Sequence, residues 1–179
     1  SGEELVNTSP LYTNVMNKFV WGNIKDSKYL DPQSQDDINI FASMFNGLVT
    51  GLLKEGKTEE AKKVVNKYFE VLPDRFYSMR SVSGKFFMAE NLFRLGDKKR
   101  ATDLLLSSKD FIEKEITYLA DVSKSKGRFV GVQNVQLGMS FLGSMARMAS
   151  EYGDEKLAKD FETPYTGLEA RFSAFFAQQ

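Results

Sequence analysis

The chain contains no histidine and no cysteine among its 179 residues. These two absences exclude Ser-His and Cys-His nucleophilic pairs, thiolate catalysis, disulfide bonds and the usual zinc ligand sets. Acid–base or nucleophilic chemistry could come only from Asp, Glu, Lys, Tyr, Ser or Thr. Because a chain without cysteine is compatible with every redox environment, this absence does not distinguish the cytoplasm from the periplasm.

The sequence also lacks net charge and long apolar runs. Its 24 basic and 24 acidic side chains balance to a formal net charge of +0, whereas nucleic acid binding uses a strongly basic surface. The apolar runs are short and interrupted by charges, so no segment is suited to span a bilayer. Glycine-rich phosphate-binding motifs and a signal peptide are absent too. We therefore expect no cofactor, no metal, no nucleic acid partner and no direct membrane insertion of this segment.

The most informative feature that is present is a six-residue pattern that occurs three times, at 56–61 (GKTEEA), 96–101 (GDKKRA) and 153–158 (GDEKLA). Each copy follows one apolar helical stretch and opens another. Glycine adopts positive φ at little cost and ends the first helix, and the small alanine lets the second helix pack closely. This pattern is typical of tetratricopeptide helical hairpins.

The sequence therefore predicts an all-α fold of about three tetratricopeptide-like hairpins in a right-handed stack, with capping helices at both ends. We expect one domain spanning 1–179. The predicted parts are an N-terminal helix and connector at 1–36, hairpin 1 at 37–75, hairpin 2 at 81–122, hairpin 3 at 129–162 and a capping helix at 165–176. Thr163 and Pro164 should separate the last two parts, because proline inside a helix loses a hydrogen bond and clashes.

The alternative geometry is an irregular helical bundle without a superhelical groove. The interval from Gly56 to Gly96 exceeds the roughly 34 residues of a standard repeat, and the interval from Gly96 to Gly153 is longer still. Both geometries are all-α, so this alternative affects the binding surface and leaves the fold class unchanged.

Tetratricopeptide stacks bind partners through a concave face that the first helix of each hairpin lines. The residues predicted on this face are Asn46, Thr50, Lys54, Glu90, Arg94, Arg147 and Glu151. Its cations suit an extended peptide or a carboxylate-bearing partner, since an arginine fork fixes a carboxylate with two parallel N–H bonds. The alternative interpretation is an ordinary solvated helix face.

Aromatic residues make up 13% of the chain, and most fall on apolar helical stripes that predict a core. Tyr12, Trp21 and Tyr29 in the first segment are instead candidates for docking on another domain. They are also candidates for stacking on a sugar in a glycan-binding module, and burial of Trp21 would count against that function.

Three carboxylate pairs are the candidates for general acid–base work: Asp36-Asp37, Glu59-Glu60 and Asp154-Glu155. Such work requires burial that separates the two pKa values of a pair. All three pairs instead stand at expected helix starts, where acidic side chains complement the helix dipole. We predict no catalytic residue, and a free-standing enzyme that uses Asp/Glu pairs is the least favoured alternative.

The segment from Leu11 through Asn17-Lys18-Phe19-Val20-Trp21-Gly22, the Tyr29-Leu30-Asp31 that follows, and the hairpin from Glu55 to Pro73 resemble a known family. Its members are large bacterial multi-pass membrane proteins classed as protein O-mannosyltransferase-like glycosyltransferases, a family of unknown function. The resemblance covers residues 11–75 and matches the C-terminal soluble region of those proteins.

The resemblance implies a membrane-embedded transferase upstream that uses a lipid-linked sugar, with this domain on the extracytoplasmic (periplasmic) face. The catalytic carboxylates of such enzymes lie in loops of the membrane domain, so none corresponds to a residue of this chain. The start at Ser1-Gly2 rather than at methionine agrees with a part excised from a longer protein. We therefore expect a non-catalytic scaffold domain that binds a protein or peptide, including its own membrane domain as a potential partner.

Overall fold

The computed structural model describes residues 7–22, 24–27 and 29–176, without the side chains of 171 and 173–176. Within these residues the protein is all-α, with seven α-helices packed in adjacent pairs and no strand, which confirms the predicted fold class at this level. The helices are α1 (Thr8–Thr13), α2 (Pro32–Lys54), α3 (Thr58–Val71), α4 (Met79–Arg94), α5 (Lys98–Lys126), α6 (Val132–Glu151) and α7 (Glu155–Phe176). A π-helical turn, Asn14–Lys18, continues α1.

The chain divides into two compact units, residues 1–101 and 102–179. In the first unit α2 packs against α1, α3 and α4. In the second unit α6 packs against α7. The α2–α3 pair corresponds to the predicted hairpin 1, and the α6–α7 pair corresponds to hairpin 3.

The three copies of the glycine pattern form the same turn. Gly56, Gly96 and Gly153 have φ values of 74°, 79° and 77°, where a residue with a Cβ is strained. After each glycine, the next amide donates back into the preceding helix at 2.9 Å, as in a Schellman motif. These bonds join Lys57 to Leu52, Asp97 to Leu92 and Asp154 to Ala149. The alanine that ends each copy is buried.

The helices α2 and α4 run side by side in the same direction. A Cβ added to Gly84 would lie 2.7 Å from the Cβ of Ala42, so the two backbones approach closely near the start of α4. Further along both helices, the Thr50 hydroxyl donates to the Asn91 side chain at 3.1 Å. Because these contacts advance together from Ala42 to Thr50 and from Gly84 to Asn91, the helices are parallel.

The second helix of the first unit starts earlier than the position 37 that the sequence predicted. The Asp31 side chain accepts from the Ser34 amide at 3.1 Å and from the Ser34 hydroxyl at 2.6 Å, and Pro32 occupies the first helical position. Both features are typical helix starts. The hydrogen bonds from the Ser34 side chain and backbone lower the pKa of the Asp31 carboxyl.

The predicted break at Thr163 and Pro164 is wrong, because α7 continues through both residues to Phe176. Proline removes the bond to the carbonyl of residue 160, and Asp160 lies on an exposed face, where water can satisfy that carbonyl. The Thr163 hydroxyl donates to the Lys159 carbonyl at 2.9 Å. The second helix of the predicted hairpin 3 and the predicted capping helix are therefore one element.

The N-terminal segment is tied to both ends of the α2–α3 hairpin. The buried Thr8 hydroxyl lies 2.7 and 2.9 Å from the two carboxylate oxygens of Glu55, which also pairs with Lys57 at 2.6 Å. At the other end, the Lys25 ammonium donates to the Phe69 carbonyl in the last turn of α3 at 2.6 Å. The segment is thus held at the two ends of one hairpin.

Candidate functional site

The predicted groove residues fall in both units. Asn46, Thr50 and Lys54 lie on α2, and Glu90 and Arg94 lie on the adjacent α4, so the first unit brings five of them onto neighbouring helices. The other two, Arg147 and Glu151, lie one turn apart on α6 of the second unit, and both are exposed.

Two of the predicted groove residues hold α2 against α4. Asn46 is 6% exposed, and its side-chain amide donates to the Gly84 carbonyl at 2.9 Å. The Asn91 amide donates to the Asn46 side-chain oxygen at 3.3 Å, and Thr50 donates to the Asn91 oxygen. Since buried polar groups are costly without partners, this network fixes the register of the two helices. It leaves Lys54, Glu90 and Arg94 as the surface part of the predicted groove.

The surface part carries charges of both signs. Arg94 is exposed and forms an ion pair with Glu90, one helical turn earlier, through its Nη2 atom. That contact uses one of the five N–H donors of the guanidinium. Lys54 is exposed at the end of α2. The arrangement can bind a polar partner by ion pairs and hydrogen bonds.

Sequence reasoning missed Phe87 on this surface and the buried Asn91 beneath it. Phe87 is 48% exposed and lies two turns before Arg94, on the same side of α4. Asn91 links Asn46 and Thr50. No local signal distinguished Phe87, because adjacent apolar residues of α4 can both be buried, as Leu92 and Phe93 are. We call Lys54, Phe87, Glu90 and Arg94 the α2/α4 face.

The three candidate docking aromatics have different surroundings. Trp21 is half-buried, and its ring lies 5.2–5.6 Å from the rings of Phe19, Phe41 and Phe45. This packing counts against a sugar-stacking function for Trp21. Tyr29 is 80% exposed. Tyr12 is half-buried and lines a cleft of about 180 Å³. The other lining residues are Thr8, Ser9, Thr13, Leu52, Lys57 and Glu60.

The carboxylate pairs have local structural partners. Glu59 pairs with Lys62 at 2.7 Å, and Asp154 accepts the Leu157 amide at 2.9 Å as the N-cap of α7. Asp37 accepts from the Gln33 side chain at 3.3 Å. Over residues 7–22, 24–27 and 29–176, no group of three or more acidic side chains is placed to hold a metal ion. None of the helices in this described part is long and apolar enough to cross a membrane.

Lys85 is a buried titratable group in the first unit. It is 6% exposed, its ammonium donates to the Pro73 carbonyl at 3.4 Å, and it lies 4.9 Å from the centroid of the Phe76 ring. Burial lowers the pKa of Lys85 to about 8, and attraction to Asp74 only partly opposes this effect. The sequence did not distinguish Lys85 from the other lysines, because its position on the apolar side of α4 depends on where that helix packs.

Comparisons with protein-family models, with curated proteins and with solved structures find no match to this chain. The resemblance of residues 11–75 to the membrane-protein family therefore stays a prediction.

Proposed function

We propose that this chain is a non-catalytic, tetratricopeptide-like domain that binds a polypeptide across the α2/α4 face. The observation that carries the proposal is the parallel pairing of α2 and α4, each of which opens a helix–turn–helix segment closed by the same glycine turn. In tetratricopeptide arrays the first helices of successive hairpins have this relation and line the binding surface.

The composition of the α2/α4 face supports a peptide ligand. Phe87 offers an exposed aromatic ring, and the neighbouring helix carries two small residues one turn apart, the exposed Ser43 and the half-buried Gly47. Lys54 and Arg94 add cations near the ends of both helices. A peptide that presents an apolar side chain and a carboxylate would satisfy both parts of this face.

The resemblance of residues 11–75 adds a cellular setting to this proposal. The domain would be the soluble C-terminal part of a membrane glycosyltransferase-like protein, on the periplasmic face of a bacterial membrane. Its partner would be an acceptor polypeptide or the membrane part of the same protein. The regular right-handed stack of three hairpins belongs to this proposal as well.

Glycan binding is the second candidate function, and the cleft beside Tyr12 favours it. The cleft combines an aromatic ring with the hydroxyl-bearing Ser9 and Thr13 and with the charged Lys57 and Glu60. Sugars are bound by such mixtures of a flat apolar surface and hydrogen-bonding groups. A Tyr12→Ala variant that loses binding to immobilised glycans, beside an unaffected Tyr29→Ala variant, would favour this function over peptide binding.

The test of peptide binding is site-specific photo-cross-linking from the α2/α4 face. We would replace Phe87 by p-benzoylphenylalanine in the full chain and irradiate it in a membrane extract. The same replacement at Tyr118, which is 63% exposed on α5, is the positional control. We expect defined cross-linked polypeptides from position 87 only, and their loss when Lys54→Ala and Arg94→Ala are combined.

Single arginine variants test which of the predicted groove residues take part in binding the polypeptide. Arg94→Ala should weaken cross-linking at position 87, and Arg147→Ala should do so only if α6 takes part in the same surface. Equal cross-linking from positions 87 and 118, or cross-linking that the double variant leaves unchanged, would contradict the proposed face.

A further inference from the structure

A second surface feature of the first unit is a cleft between α3 and the turn that joins α4 to α5. Its volume is about 530 Å³, and its walls are Lys62 and Asn66 of α3 together with residues 95–100. Ligand sites commonly occupy about 300–1,000 Å³. None of the α2/α4 face residues lines this cleft, so the two surfaces can be tested separately.

The cleft has an excess of positive charge. Four of its lining side chains are cations, Lys62, Lys98, Lys99 and Arg100, whereas Asp97 is the single acid among the lining residues. Lys62 also pairs with Glu59 at 2.7 Å, and with Glu59 included the positive side chains still outnumber the acidic ones. The chain as a whole has a formal net charge of +0. This local excess therefore differs from the average surface of the molecule and favours an anionic ligand.

Arg100 is held in place by three different contacts. Its Nε donates to Asp97 at 2.6 Å, its Nη1 donates to the Asn66 side-chain oxygen at 3.0 Å, and its guanidinium carbon lies 5.2 Å from the centroid of the Phe69 ring. Neither hydrogen bond uses Nη2. A guanidinium that is already fixed loses little side-chain entropy when it pairs with a carboxylate.

The backbone at the N-terminus of α5 does not itself form the anion-binding site. The Asp97 carboxylate accepts the Arg100 amide at 3.1 Å, so it occupies the place at which an incoming anion would meet the backbone. Binding in this cleft depends instead on the side chains of Lys62, Lys98 and Arg100.

We propose that this cleft binds an acidic segment of a protein partner. A polypeptide fits the cleft better than a bare anion does, for three reasons. Its carboxylates pair with the cations, its carbonyls can accept from the Asn66 amide that Arg100 orients, and its methylene groups can cover the half-buried Leu95. This surface does not depend on the proposed function of the α2/α4 face.

The test uses fluorescently labelled hexaglutamate as the probe and hexaglutamine as its uncharged counterpart, each titrated against the full chain. We expect hexaglutamate alone to bind, with an affinity that falls as salt rises from about 0.05 to 0.5 M. Combining Lys62→Gln with Lys98→Gln should weaken binding about tenfold, since each screened charge pair contributes a small factor. The matched control combines Lys63→Gln with Lys156→Gln, two exposed lysines outside the cleft, and should bind normally.

A second variant separates charge from geometry. Arg100→Lys keeps the charge and removes the fork, so we expect weaker peptide binding with an unchanged salt dependence. Absence of hexaglutamate binding, equal loss in the control pair, or displacement of the peptide by inorganic phosphate at the same concentration would each overturn the proposal. Since the cross-linking test at position 87 uses other residues, failure here leaves the proposed function standing.

Discussion

Because Lys85 is buried, we predict that the first unit becomes more stable as pH rises above about 8. The pKa of Lys85 falls from 10.5 to about 8 on folding, which corresponds to about 3 kcal/mol of free energy between the two protonation states. Between these two values the unfolded chain binds more protons than the folded chain, so the free energy of unfolding rises with pH. This increase in the free energy of unfolding is absent below about pH 8 and complete near pH 10.5.

Replacement of Lys85 by methionine should remove this dependence. At about pH 7 we expect Lys85→Met to stabilise the first unit by about 2 kcal/mol, because the variant avoids burying a charge but leaves the Pro73 carbonyl without its partner. Near pH 10 the difference should disappear, since Lys85 is then largely neutral in the folded wild-type protein. Lys63→Met, which changes an exposed lysine of α3, is the matched control and should not alter the pH profile.

The assay is urea unfolding followed by the fluorescence of Trp21. The chain has one tryptophan, and it packs in the same unit as Lys85, so its emission reports the unit that the variant changes. Burial raises the pKa of Tyr68, which removes stability above about pH 10, so the titration should stop there. A wild-type free energy of unfolding that stays flat from about pH 7 to 10 would refute the reasoning, as would a variant less stable than wild type at pH 7.

Three further predictions concern stability. Gly84→Ala should destabilise the first unit by about 1–3 kcal/mol, because the added Cβ would lie 2.7 Å from the Cβ of Ala42. Adding Ala42→Gly to this variant should recover the lost stability, as measured by thermal unfolding. Asp97→Ala and Asp154→Ala should each cost about 1 kcal/mol as lost N-caps, measured by chemical denaturation, and no effect of either would contradict the capping geometry. Pro164→Ala should raise the melting temperature, since proline inside a helix is about 3 kcal/mol less favourable than alanine, whereas a decrease would support a break in α7.

The turns were predictable because their chemistry is local. A glycine that must adopt positive φ, and an alanine that must fit between two helices, leave a signature within six residues, and all three turns agree with it. The differences at Pro164 and at Asp31 have separate causes. Proline predicts a helix stop, but the exposed side of α7 tolerates Pro164. The start of α2 has a local signal, the N-cap Asp31 followed by Pro32, which the prediction of a connector at 1–36 did not use.

The candidate site was less predictable, because it depends on which side of each helix meets a neighbour. Asn46 and Asn91 were indistinguishable from surface polar residues in the sequence, yet both are buried where α2 meets α4. The burial of Lys85 and the exposure of Phe87 were not predictable for the same reason, since the sequence pattern does not define how wide the buried side of α4 is. These positions need the three-dimensional arrangement, whereas the turns do not.

The two tethers of the N-terminal segment have a consequence for synthesis on the ribosome. Thr8 and Lys25 find their partners at Glu55 and Phe69, which are translated later. The rings that Trp21 contacts, Phe41 and Phe45, belong to α2 and are translated later as well. Until α2 has left the exit tunnel, the nascent chain exposes the aromatic side chains of Phe19 and Trp21, and a chaperone that recognises exposed aromatic segments would bind there.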